Sequence, residues 1–249
     1  MAATLWTPGD LNVRASIWEP GGETEEVVVP TDPTLGTLFL DDFVSGEGTL
    51  TLASHSPITG PSGFVWEERA GFDTLECYSG GVRSGSILTS NAGGYGPDQT
   101  WVWDNKNLMD GSTIELDLTL VSGTSTANFQ LSTQAEGSLL TGISIDTSEA
   151  AGAQLVITYV NSDGEQAALP ITGLEDIDNL ATTLSIVATF DFTVGSISTH
   201  VSGSDIGTIT QTYTGVTFDP AREIVFIQIG MNNGSNLTVT RAEITGETV

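Results

Sequence analysis

Basic residues are the scarcest chemistry in this sequence: six Lys and Arg stand against 32 Asp and Glu, a formal charge of −26. Such a field repels phosphate backbones and anionic lipid headgroups, so neither nucleic-acid binding nor membrane-surface attachment is expected. Cysteine is almost missing. Cys77 stands alone, so no intrachain disulfide framework and no cysteine zinc site can form. Two histidines, His55 and His200, are too few for a histidine metal centre. No apolar run reaches the roughly 18 residues of a membrane-spanning helix, so no insertion is expected. Residues 1–10 (MAATLWTPGD) lack a basic n-region and an apolar h-region, and no secretory leader is expected there. Walker and EF-hand patterns and the Gly-x-Ser-x-Gly elbow are missing too.

What is present is a chain of 249 residues, 39% hydrophobic, with 29 glycines and abundant Ser and Thr. That is enough apolar material for one large core. The apolar residues alternate with period two, which excludes disorder as the reason for the acidity. Ser112 to Val121 puts Ile114, Leu116, Leu118 and Leu120 on one face and Glu115, Asp117 and Thr119 on the other. Leu184, Ile186, Ala188, Phe190 and Phe192 alternate as cleanly. Ala153–Val160 and Glu165–Ile171 flank Asn-Ser-Asp-Gly, and Ile197–Val201 and Ile206–Tyr213 flank Ser-Gly-Ser; both read as hairpins. Arg222 to Met231 is apolar on both faces and should be a central strand. The last strand, Asn236 to Ile244, shifts phase at Arg241–Ala242, the mark of a bulge. Helix is confined to one turn near Leu174–Leu180. The fold class expected is all-β, a two-sheet antiparallel jelly-roll sandwich with a short N-terminal arm.

That arm is residues 1–36, ahead of a sandwich domain at 37–249. It carries Trp6 and Trp18, four prolines and the acidic patch Glu23, Glu25 and Glu26. Leu11, Val13, Ala15 and Ile17 alternate as in a short strand, and Pro30 to Pro33 reads as a linker. The segment is too short for a core of its own and too apolar for a free tail, so it is expected to dock.

The run Leu38-Phe-Leu-Asp-Asp-Phe43, followed by Gly48-Thr-Leu50, His55-Ser-Pro57 and Trp66, resembles the opening of concanavalin A-like (laminin-G-like) jelly rolls of bacteriophage structural proteins. Thr183 to Gly203 and the closing Leu237 to Ile244 resemble the same fold. The N-terminal Leu5-Trp6-Thr-Pro-Gly and Val13-Arg14-Ala-Ser-Ile-Trp18 look like the start of phage appendage proteins, with Trp6, Arg14 and Trp18 as assembly contacts. The resemblance implies a non-catalytic virion protein, a capsid decoration or tail-appendage subunit made in the host cytoplasm. Its partners would be other virion proteins and its own copies, with a homotrimer as the guess. Two alternatives stay open: a carbohydrate-binding adhesin for a host surface glycan, and a glycan hydrolase.

Glycan hydrolases of this fold carry a Glu-x-Asp-x-Glu strand, with one Glu as nucleophile and the other as acid. Glu115-Leu-Asp117 matches two positions, but Thr119 stands at the third, so no catalysis is expected. For glycan binding, an aromatic platform is offered by Tyr95, Trp101 and Trp103 in the Gly-rich stretch 91–104. No cofactor is expected. Calcium is the one possible ion, through hard oxygen ligands at Asp104-Asn105, Asn161-Ser-Asp163 or Asp176-Ile-Asp178.

Overall fold

The protein is described by a computed structural model, which covers residues 33–44, 48–60, 64, 66–68, 75–84, 93–96, 106–120, 126–133, 139–146, 154–174, 182–232 and 237–248. Residues 1–32, and with them Trp6, Arg14 and Trp18, lie outside the described residues. So do the expected helical turn beyond Leu174 and both tryptophans of the proposed platform, Trp101 and Trp103.

Leu35–Thr248 forms a compact unit of two antiparallel sheets. The larger has nine strands. Its path runs β14 (Gly207–Thr214), β13 (Ser196–Gly203), β12 (Thr182–Asp191), β7 (Thr113–Leu120), β16 (Leu237–Thr248), β5 (Gly81–Ser84), β4 (Leu75–Tyr78) and β2 (Leu50–Thr51), with β1 (Thr34–Asp41) also on β16. The smaller, of seven strands, runs β11 (Gln166–Ile171), β10 (Gln154–Val160), β9 (Thr141–Asp146), β8 (Thr126–Ser132), β15 (Phe226–Asn232), β6 (Gly93–Gly96) and β3 (Glu67–Glu68). The only helical turn among the described residues is the 3-10 turn Leu52–Ser54, closed by the His55 N–H on the Leu52 carbonyl (2.9 Å). Three residues carry no period, so no local pattern announces this turn.

The alternation read from the sequence decides which side of each strand meets the core. In β7 the odd-numbered Thr113, Glu115, Asp117 and Thr119 are half-buried, while Ile114, Leu116, Leu118 and Leu120 are buried. They meet Phe129 and Leu131 of β8, Ile143 and Ile145 of β9 and Ile227 and Ile229 of β15 in one continuous cluster between the sheets. Each such side chain removed from water contributes about 1.5–3 kcal/mol, which makes this layer the main source of stability. Both expected hairpins form: β10–β11 pairs Val160 with Gln166, and β13–β14 pairs Gly203 with Gly207. The expected central strand is β15, flanked by β8 and β6, although Ile224 and Val225 precede it. The bulge is present, its register shift falling between Val239 and Arg241.

Candidate functional site

Each sheet has a second face, turned away from the core, and the two differ in chemistry. On the nine-stranded sheet the bulge in β16 rephases the strand. Thr240 and Arg241 both come out half-buried, Ala242 returns to the core, and Glu243 faces outward opposite Glu115. Arg241 therefore lies among three carboxylates. It donates to Glu115 and to Glu243, and its Nη1 is 3.8 Å from Asp117 Oδ2. Burial pushes the Glu115 carboxyl up; Arg241 opposes that shift, and Asp117 and Glu243 add to it. The carboxylate that Thr119 fails to supply along β7 thus arrives across the sheet, from Glu243. One guanidinium holds Glu115 and Glu243, whereas the retaining mechanism asks for one carboxyl free to attack and one free to give a proton. Beside this cluster an open groove of about 450 Å³ is lined by Asp117, Thr183, Ser185, Ser202, Ser204 and Thr240.

The outer face of the seven-stranded sheet is mostly amides, hydroxyls and small apolar residues, with Asp146 the one carboxylate among the described residues of β8 to β11 and β15. Cross-strand partners share a face. One row reads Ala168, Thr158, Gly142, Gln130, Gln228 across β11, β10, β9, β8 and β15. The next reads Pro170, Val156, Ser144, Asn128, Gly230 and Gly94, ending on β6. Gln130 Nε2 donates to Thr158 Oγ1 (3.0 Å), and Gln228 Nε2 reaches Asn128 Oδ1 (3.5 Å). Gln130 and Thr158 are buried although they point away from the core, so the middle of this face is screened from bulk water. Glycines set its floor. A Cβ at Gly230 would lie 2.7 Å from the Asn128 amide nitrogen, and one at Gly142 would lie 2.3 Å from the Phe129 carbonyl oxygen. The amide side chains can lie low over these positions because nothing projects from them.

A third cluster sits where β1 ends. Asp41 is fully buried and accepts from the Phe43 N–H (2.8 Å) and the Trp66 indole N–H (3.0 Å), with His55 Nε2 at 2.7 Å. Phe43, in the left-handed region at φ 55°, is held there by that Asp41 bond. Asp41, Asp42 and His55 bring one ligand atom each within 4.8 Å of one another. Both Asp41 oxygens are already engaged, so the arrangement works as a buried hydrogen-bond hub that ties β1 to the aromatic layer of Phe39, Phe43, Phe64 and Trp66.

Of the candidate glycan-binding residues, Tyr95 falls in β6, opposite Ile229; its side chain, Trp101 and Trp103 lie outside the described residues. Asn161, a candidate calcium ligand, spends Oδ1 on the backbone N–H groups of Asp163 (3.0 Å) and Glu165 (2.9 Å), closing the β10–β11 turn. Asp104, Asn105, Asp176 and Asp178 lie outside the described residues. His200 is exposed on the outer face of β13, with Nδ1 3.3 Å from Thr210 Oγ1. Sequence reading missed Arg241 and Glu243 as partners of Glu115. The phase shift in β16 was the available signal, since it turns both of them to the side that Glu115 occupies.

No family model matches the chain, and no curated protein matches it. Among solved structures it is similar to the CBM2 module of the evolved Dit of Lactobacillus casei BL23 phage J-1, at 11% identity and a TM-score of 0.50, covering 87% of this chain and 98% of that one. It is also similar to the Ca²⁺-bound exoplasmic/lumenal domain of VIP36 (12% identity, TM-score 0.49, 81% and 90% covered) and to a Bacillus licheniformis β-glucanase (13%, 0.46, 80% and 99%). At such identities the likeness is one of fold: the chain is an antiparallel jelly-roll sandwich.

Proposed function

We propose that this protein is a non-catalytic, glycan-binding jelly roll of a bacteriophage virion, which attaches through the outer face of its seven-stranded sheet. The observation that carries the reading is the two adjacent polar rows, Gln130, Thr158 and Gln228 in one and Asn128 and Ser144 in the next, in a chain of charge −26. Amides and hydroxyls on a rigid sheet, over a glycine floor, suit the hydroxyl groups of a neutral sugar. The acidic surroundings select against uronic, sialylated or phosphorylated glycans. Between decoration and adhesion, this face favours adhesion, since a decoration subunit has no need of a screened polar face. The virion assignment rests on the sequence resemblance at Leu38 to Trp66, and the phage Dit module, a carbohydrate-binding one by name, has a similar fold. The absence of catalysis rests on Arg241, which engages the carboxylates that a hydrolase would leave free.

The test is a binding screen of the full chain against neutral and acidic bacterial surface glycans, together with a reducing-end assay on any glycan bound. Neutral glycans are expected to bind, and Asn128→Ala with Gln228→Ala should weaken binding at least about tenfold, the loss of one or two hydrogen bonds. Preference for acidic glycans, or indifference to both substitutions, would sink the proposed face. Release of reducing ends would sink the non-catalytic reading, and absence of the protein from purified particles would sink the virion one.

A further inference from the structure

On the outer face of the nine-stranded sheet, side chains shorten along one cross-strand row. It reads Arg241, Asp117, Ser185, Ser202 and Thr208 across β16, β7, β12, β13 and β14. The row beside it carries the larger Val187 and His200 on β12 and β13. Short side chains next to longer ones leave a hollow. Here that hollow is the open groove of about 450 Å³ beside the carboxylate cluster. Such a volume takes one small organic molecule and is far larger than the oxygen cage around a metal ion.

The charges beside the groove do not balance. Glu115, Asp117 and Glu243 share a single guanidinium, and Arg241 donates to Glu115 and to Glu243. Asp117 is left with one long contact, 3.8 Å from its Oδ2 to Arg241 Nη1. Its Oδ1 is shut off from water and accepts no hydrogen bond among the described residues, a costly state for a carboxylate oxygen. The Ser204 hydroxyl is engaged with Thr182 (3.0 Å) and Asp205 (3.1 Å). Those of Ser185, Ser202 and Thr240 have no protein partner among the described residues. The groove thus sets one under-donated carboxylate beside three free hydroxyls.

We propose that this groove is a binding site for a small organic cation, an ammonium group held by Asp117 and bordered by the hydroxyls of Ser185, Ser202 and Thr240. An ammonium has three donors and no acceptor. It supplies the donor that Asp117 lacks and turns its remaining donors to the hydroxyl oxygens. The charge of −26 raises the local concentration of any cation and speeds its arrival. A calcium ion needs several anionic or carbonyl oxygens closed around it, whereas one carboxylate lines this groove. The ammonium is carried either by an aliphatic amine or by an amino sugar, whose ring hydroxyls would meet the same serines. The site lies on the other sheet from the amide–hydroxyl face and does not depend on glycan binding there.

The experiment is a titration of the full chain, followed by amide NMR, with butylamine, glucosamine, N-acetylglucosamine and calcium chloride. It is run at about pH 6, where both amines are charged, and at about 20 mM salt, where screening is weak. Dissociation constants of about 0.1–10 mM are expected for the amines, with shifts centred on Leu118, Ser185, Ser202 and Thr240. Asp117→Asn should weaken both amines at least about tenfold by removing the charge-assisted bond. Glu165→Gln removes one charge in the exposed β10–β11 turn and should leave binding within about twofold. Tighter binding of glucosamine assigns an amino sugar, tighter binding of butylamine an aliphatic amine, and equal affinities the ammonium alone. The inference is overturned if neither amine shifts these amides, or if N-acetylglucosamine, which keeps the ring and lacks the charge, matches glucosamine there. It is overturned too if calcium shifts them at lower concentration than either amine, or if Asp117→Asn binds both amines undiminished. The shift map needs no variant and stands even if the substituted protein fails to fold.

Discussion

Asp41 takes a carboxylate into the core beside Phe39, Phe43 and Trp66, a position that would be prohibitive if its oxygens lacked donors. Its bonds with the Phe43 amide, the Trp66 indole and His55 offset that cost, and in doing so they fix the end of β1 and the left-handed turn at Phe43. Asp41→Ala removes the acceptor and strands two buried N–H groups at about 1–3 kcal/mol each. A loss of about 2–5 kcal/mol in urea unfolding is therefore expected, and a loss below 1 kcal/mol would show that the hub is dispensable. Cys77 supplies an independent readout. It is buried, and burial, with help from Asp41 and Asp42, pushes its thiol up to about 12. Since the thiolate is the reactive form, the native protein should resist thiol reagents, and Asp41→Ala should raise the labelling rate in step with the opened population.

At the scale of the strand, β16 shows how much one extra residue decides. The bulge between Val239 and Arg241 turns Arg241 and Glu243 to the side of Glu115 and returns Ala242 and Ile244 to the core. The resulting cluster has a pH signature. Glu115 has its carboxyl raised by burial above the unfolded value, so the folded chain holds a proton there that the unfolded chain has released. Its contribution to stability is thus present in acid, and it is lost as pH rises through the unfolded toward the folded value. Removing that titration with Glu115→Gln should make stability fall less steeply across the carboxylate range. A variant whose pH profile parallels that of the unmodified chain would place the raised group elsewhere. The elements themselves were largely legible. β7, β10 to β14 and β16 announce themselves by period two and by turn residues, because each has one face in the core. The strands β1 to β6 lie in Gly-, Ser- and Pro-rich sequence, where β2 and β3 are two residues long and carry no period. Pairing across long separations was not legible at all. Glu115 meets Glu243 and Gln130 meets Gln228 through sheet order, which no local pattern specifies. The neutral face therefore emerges only once β8, β9, β10 and β15 are set side by side.

For the molecule as a whole, the acidity and the sandwich act together: −26 keeps copies apart, and the few uncharged surfaces are where contact can occur. One such surface is the outer face of the seven-stranded sheet, where Asn128 and Ser144 stand in one row and Gln130, Thr158 and Gln228 in the next. A surface of this kind meets a neutral ligand without the repulsion that the rest of the chain imposes on anions.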